Sequence, residues 1–196
     1  MKYPGFFDEI DPIILKDNLS SFLGSTEDGI MEYSYLDVVK MAGHSCGVTS
    51  GAYLMTREGL KALYGKDTPM RGEIKVELQG TLEDNTGVFA QVFSYLTGAT
   101  SDTGFLGIMG NFNRRNLLFY GADIPSNVRF TRLDTHKSVD VSYDLSKAVN
   151  PGEIMRSAIG PNATEEGKKT FPVRWQKMVK TIFDNADKVI SVKGVQ

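Results

Sequence analysis

Apolar and polar positions along the chain follow two periods, and the switches between them predict the order of elements. Asp11-Pro12 can serve as N-cap and first helical residue, and Leu15, Leu19, Phe22 and Leu23 follow at helical spacing until Gly24 offers a stop. After a polar loop from Ser25 to Gly29, Tyr35, Val38, Val39 and Met41 form an apolar run suited to a brief helix. A longer helix is expected from about Cys46 to Tyr64, stopped by Gly65, with Val48, Ala52, Met55 and Leu63 on one stripe. Gly47, Gly51 and Gly59 lie in the same segment. Glycine weakens a helix interior by roughly 1 kcal/mol, so its repeated use predicts a buried helix that another backbone approaches closely.

Period two takes over at Glu73 to Leu78, where Ile74, Val76 and Leu78 share one face, as in a half-buried strand. Asp84-Asn85-Thr86 then offers N-caps for a second core helix, with Phe89, Val92, Phe93 and Leu96 on its apolar face and Gly98 as its stop. Gly98 to Asn116 reads as a long polar loop, a length that is uncommon in a compact domain unless the loop is functional. Strands are expected at Asn116 to Tyr120, Val128 to Leu133 and Ser138 to Tyr143, the last two joined by a hairpin at Asp134-Thr135-His136-Lys137. Pro151 marks a boundary, Gly160 to Gly167 a polar linker, and Trp175, Met178, Val179, Ile182, Phe183 and Ala186 an amphipathic helix after Pro172. The pattern predicts an α+β fold. A mostly antiparallel sheet packs against the glycine-rich core helix and a second helix, with extra helices at both ends. The expected divisions are an N-terminal helical extension over 1–29, an α+β domain over 30–148 and a C-terminal helical extension over 149–196, all in one compact unit.

Composition narrows the function classes. Hydrophobic residues at 41% and charged residues at 23% fit a globular chain and exclude a disordered one. The 22 basic and 24 acidic side chains give a formal charge of -2, too balanced to draw in nucleic acid or an acidic membrane surface, so neither is an expected partner. The start of the sequence lacks the apolar run of a signal peptide, and no apolar stretch approaches the roughly 20 residues that span a bilayer. The expectation is a cytoplasmic protein. A single cysteine excludes an internal disulfide and any zinc site built from several cysteines of one chain.

That cysteine stands in Gly43-His44-Ser45-Cys46-Gly47, at the predicted start of the long helix. Unpaired backbone N–H groups and the positive end of the helix dipole favour thiolate over thiol at such a position. His44, two residues earlier, can share a proton with the sulfur or offer an imidazole nitrogen to the same metal ion. Thiolate and imidazole together suit zinc and related transition metals. Spacing alone equally allows a small buried cysteine and a capping histidine.

Gly43, His44, Cys46 and Gly51 resemble the FmdE family, named for one of the subunits of formylmethanofuran dehydrogenase, whose members carry Gly-His-x-Cys-Pro-Gly opening a glycine-rich helix. The similarity continues through Asp84-Asn85-Thr86-Gly87-Val88-Phe89-Ala90-Gln91, Leu96-Thr97-Gly98-Ala99-Thr100 and Gly104, covering roughly residues 35–145. The resemblance implies an α+β domain, often a homodimer, with a transition-metal site at the histidine and cysteine. Two departures stand out. Gly47 replaces the usual proline, and Thr86 and Ala99 stand near positions where relatives carry further cysteines.

Several other residues qualify as candidates. His136, the second of two histidines, reads as a solvated turn residue that becomes a metal ligand only if the hairpin, or a partner subunit's, reaches the helix start. Asp84 could add an oxygen ligand, but N-capping is its simpler role. Arg114 and Arg115, among three asparagines and a phenylalanine, could bind a carboxylate or phosphate, or simply form a solvated turn. Gly104, Gly107 and Gly110 lack the following Lys-Ser/Thr, and no Gly-x-Gly-x-x-Gly is present, so no nucleotide cofactor is expected. Ser-His-Asp hydrolysis lacks its nucleophile elbow.

Three functions remain open from the sequence. One is a transition-metal protein, zinc first, in which His44 and Cys46 bind an ion and act on or bind a small molecule, with His136, Asp84, Arg114 or Arg115 completing the pocket. Another is a metal-free thiolate enzyme using Cys46 with His44 as acid–base partner. The last is a ligand-binding or assembly module whose terminal helices contact a partner.

Overall fold

The computed structural model describes residues 1–84 and 86–195. Asn85, one of the caps offered for the second core helix, lies outside the described residues. After a 3-10 turn at Gly5–Glu9 come β1 (Ile13–Lys16), α1 (Asn18–Phe22), β2 (Ile30–Tyr33), α2 (Tyr35–Ala42) and α3 (Gly47–Tyr64). β3 (Ile74–Leu78), α4 (Thr86–Thr97), β4 (Leu118–Phe119), β5 (Val128–Arg132) and β6 (Ser138–Tyr143) follow. A 3-10 turn at Leu145–Lys147 leads to α5 (Pro151–Ala158), α6 (Glu165–Asp184), α7 (Ala186–Val189) and β7 (Ile190–Val195).

The chain is an α+β protein. Its main sheet has the order β4-β3-β5-β6-β7, antiparallel except where β3 and β4 run parallel. α3 crosses this sheet against β5, β6 and β7, flanked by α2, α4 and α6. Ala52, Tyr53, Leu54 and Met55 on α3 and Phe93 and Leu96 on α4 are fully buried with Phe130 and Val141 of the sheet. None of the described helices is long and apolar enough to cross a membrane.

The N-terminal segment differs from expectation. Ile13 and Leu15 are buried while Ile14 and Lys16 face out, so period two wins over the helical spacing, and β1 pairs with β2 from Ile13↔Tyr33 to Lys16↔Ile30. The helix N-cap is Asp17, which accepts from the N–H groups of Leu19 and Ser20, and α1 lasts five residues. The apolar pair at its end, Phe22 and Leu23, is exposed.

The C-terminal segment is not wholly helical either. Residues read as a linker already belong to α6, which starts at Glu165 behind the Thr164 cap and carries Pro172 within it. The chain then returns as β7, pairing with β6 from Ser138↔Val195 to Tyr143↔Ile190 and completing the sheet. The strand expected at Asn116 to Tyr120 is reduced to Leu118–Phe119.

The glycines of α3 are explained by side chains and not by a neighbouring backbone. A Cβ on Gly51 would overlap the Tyr143 ring, and one on Gly59 would lie 2.9 Å from Phe130 and 3.0 Å from Val141. The long helix thus sits low enough on the sheet for two aromatic rings to occupy its missing side-chain positions.

Candidate functional site

α2 ends on Gly43, whose left-handed φ of 77° suits glycine and turns the chain sharply toward α3. The turn exposes His44, buries Ser45 and leaves Cys46 half-buried as the N-cap residue of α3. Cys46 and Thr49 form a capping box. The Cys46 N–H donates to Thr49 Oγ1 at 2.9 Å. The same hydroxyl lies 3.7 Å from Cys46 Sγ. The sulfur therefore occupies the place of an N-cap oxygen, facing the positive end of an 18-residue helix.

The surroundings of the sulfur are rich in hydroxyl groups. Tyr35 Oη lies 2.9 Å from Ser45 Oγ and 3.3 Å from Thr49 Oγ1. Burial pushes the Tyr35 phenol up to about 12, against the pull of its bonds to Ser45 and Thr49. Tyr143 Oη donates to the Gly47 carbonyl at 2.8 Å. Burial also pushes the Tyr143 phenol well above the ordinary tyrosine range, and the nearby Cys46 charge adds to the rise. Both phenols stay protonated at neutral pH, and the one proton of Tyr143 is committed to the Gly47 carbonyl.

α6 covers the other side of the turn. Trp175 Nε1 donates to the Ser45 carbonyl at 3.0 Å, and Gln176 Nε2 donates to the same oxygen at 3.3 Å. Among the described residues, Gln176 Oε1 is a buried acceptor left without a partner beside this turn. The amphipathic helix that the sequence predicts around Trp175 is thus also the scaffold that fixes the residue before Cys46. On the outer side, His44 Nδ1 lies 3.0 Å from the Ala42 carbonyl. With Nδ1–H committed to that oxygen, Nε2 is the nitrogen left with a lone pair.

The remaining candidates are not gathered here. His136 sits exposed in the β5–β6 turn at a φ of 59°, its N–H donating to the Arg132 carbonyl. Arg132 in turn stacks 4.2 Å over the ring of Tyr64, the last residue of α3. At 1.5 Å per residue, His136 and Cys46 are held at opposite ends of a helix about 27 Å long. Asp84 is held locally, its carboxylate accepting from the N–H groups of Thr86 and Thr81 at 2.6 and 3.1 Å. Arg114 is buried and donates to Asp17 at 2.7 Å, while Arg71 donates to the other Asp17 oxygen at 2.9 Å. Arg115 Nε reaches across the loop to the Gly104 carbonyl at 2.9 Å. Of the positions where the resemblance places further cysteines, Thr86 opens α4 and Ala99 is fully buried.

No described group of three or more His, Cys, Asp or Glu side chains is placed to hold a metal ion. His44 and Cys46 supply two donors, fewer than the three or four protein ligands that zinc ordinarily takes. One chain therefore does not build a zinc site at this turn from its described residues.

No family model matches the sequence, and no curated protein matches it. Among solved structures, the chain is similar to a tungsten formylmethanofuran dehydrogenase FmdE-like protein from Syntrophus aciditrophicus, with 16% identity over 84% of this chain and 73% of that chain and a TM-score of 0.45. A likeness of that degree concerns the fold and transfers nothing to the site.

Tyr35, Thr49, Tyr143 and Trp175 are the site residues that sequence reasoning did not name as such. Thr49 alone carried a local signal, three residues after the cap, where a capping box places its second member. Tyr35 comes from the start of α2, ten residues before Ser45, whereas Tyr143 and Trp175 reach the turn from distant parts of the chain.

Proposed function

We propose that this protein acts on a small molecule through the Cys46 thiolate, with His44 as its proton-transfer partner and without a resident metal. One observation carries the reading: Cys46 is the N-cap residue of α3, with the Thr49 hydroxyl 3.7 Å from its sulfur. Hydrogen bonds and a helix N-terminus both stabilise negative charge on sulfur, and the thiolate is the reacting form of cysteine. His44 lies within the same five-residue turn, solvent-exposed, with Nε2 free to take up or return a proton. Of the hydroxyls around the turn, that of Thr49 lies 3.7 Å from the sulfur and is placed to donate to charge developing there.

The alternative, a transition-metal centre, draws support from His44 alone. An imidazole pinned through Nδ1–H to a carbonyl presents Nε2 in the way metal-ligating histidines do. A zinc ion there would need its remaining donors from a ligand or from a second copy of the chain. The two readings separate in one experiment. Iodoacetamide alkylation of Cys46 in chelator-treated protein should proceed undiminished and slow in His44→Ala. If chelation changes the rate and zinc restores it, the metal reading replaces the thiolate one.

A further inference from the structure

A groove of about 490 Å³ lies between α4 and the loop that follows it. Its floor is apolar, formed by Met41 of α2, Ala90 of α4 and Leu118 of β4. Its walls carry the polar groups of Gln91, Ser94, Tyr95, Thr103 and Tyr120. None of the described residues lining it is charged. The volume falls within the range of small-molecule sites, and an apolar base with a few polar groups around it is their usual chemistry.

The hydrogen-bond state of these walls tells what they can receive. Two further lining hydroxyls are already engaged: Thr100 Oγ1 donates to the Arg114 carbonyl at 2.7 Å, and Ser101 Oγ to Asp102 at 3.2 Å. The side chains of Gln91, Ser94, Tyr95, Thr103 and Tyr120 make no hydrogen bond to any described residue. Burial raises the Tyr95 and Tyr120 phenols above their ordinary value, so both remain neutral hydroxyls. Tyr95 is held by its edge-on contact with Tyr33, at 5.4 Å between ring centroids.

Hydroxyls and a primary amide each donate and accept. A partner that matches them must do both at several closely spaced points. The lining side chains offer an ionic ligand no counter-charge, so a neutral one suits them better. We infer that this groove binds an uncharged, hydroxyl-rich small molecule of the mono- or disaccharide class. The sugar hydroxyls replace water on Gln91, Ser94 and Thr103, and the apolar face of the sugar ring lies against Tyr95 or Tyr120. This inference does not depend on Cys46, and it gives the loop after α4 the role that its length called for.

Isothermal titration of the full chain with D-glucose, N-acetylglucosamine and maltose, against glucose 6-phosphate as the charged control, tests the inference. At least one neutral saccharide should bind saturably and more tightly than the phosphate. Ser94→Leu, which fills the groove, should abolish that binding, and Gln91→Ala, at an exposed position that folding does not need, should weaken it about tenfold. Should Ser94→Leu fail to fold, Gln91→Ala decides alone. The inference is overturned if no neutral saccharide binds saturably, if glucose 6-phosphate binds as well, or if Gln91→Ala leaves the affinity unchanged.

Discussion

The ring of Tyr143 fills the space that a side chain on Gly51 would need, and its hydroxyl closes onto the Gly47 carbonyl one turn earlier at 2.8 Å. β6 and the first turns of α3 are thereby locked together directly beneath Cys46. The lock depends on glycine at one position and tolerates a side chain at another.

Gly51→Ala should therefore destabilise the protein by about 1–3 kcal/mol, the usual cost of overpacking, despite alanine's better helix propensity. At Gly47 a Cβ would meet Leu145 at 3.4 Å, an ordinary contact. Gly47→Ala should be neutral or slightly stabilising. Thermal unfolding of both variants checks the contrast, and equal melting temperatures would mean that the ring is free to move aside.

Asp17 ties the N-terminal segment to the loop after α4, accepting from Arg71 and Arg114 and capping α1. Burial raises its carboxyl, but the bond from Arg71 and the charges of both arginines outweigh burial and hold it below the usual range. A carboxylate depressed in the folded state adds stability above its unfolded value, near 3.9, and that stability is lost as pH falls through the folded value. Urea midpoints should drop between pH 6 and pH 3 in the wild type. Asp17→Asn should cost about 3–5 kcal/mol at pH 7, because it leaves the buried Arg114 charge without its counter-ion, and should flatten that part of the pH dependence. A variant with the wild-type acid profile would remove Asp17 from the account.

Cys46 has a structural role as well as its proposed chemical one, and substitution separates them. Cys46→Ser keeps a capping side chain and should leave stability within about 0.5 kcal/mol. Cys46→Ala loses the cap and should cost about 1 kcal/mol. Both should abolish reaction at the site. Equal stability of the serine and alanine variants would show that the sulfur does not cap.

Trp175 is the only tryptophan, and its indole N–H is bonded to the carbonyl of the residue before Cys46. Carboxymethylation of Cys46 should shift or quench its fluorescence in the folded protein and leave it unchanged in urea. No change in the native state would place the indole elsewhere.

What could be read from the sequence was what local chemistry decides. α3 begins and ends where Cys46 and Gly65 cap it, and β3, β5 and β6 follow from strict alternation and a short hairpin. β1 and β7 escaped because each is a short segment whose strand identity comes from a partner, β2 and β6 respectively. The same holds for the site. The Gly43–Gly47 turn stood out by its residue types, whereas Tyr143 and Trp175 reach it only through tertiary packing. Arg114 looked like a ligand fork because its true partner, Asp17, lies 97 residues earlier in the chain.

The central claim is that the fold activates the Cys46 sulfur. Cys46 is the sole cysteine, so the second-order rate of iodoacetamide alkylation at pH 7 can be compared between native protein and the same protein in denaturant, corrected with free cysteine in each solvent. The native reaction should be faster and should slow in His44→Ala. A native rate at or below the unfolded one would contradict the claim, leaving Cys46 as a helix cap and nothing more.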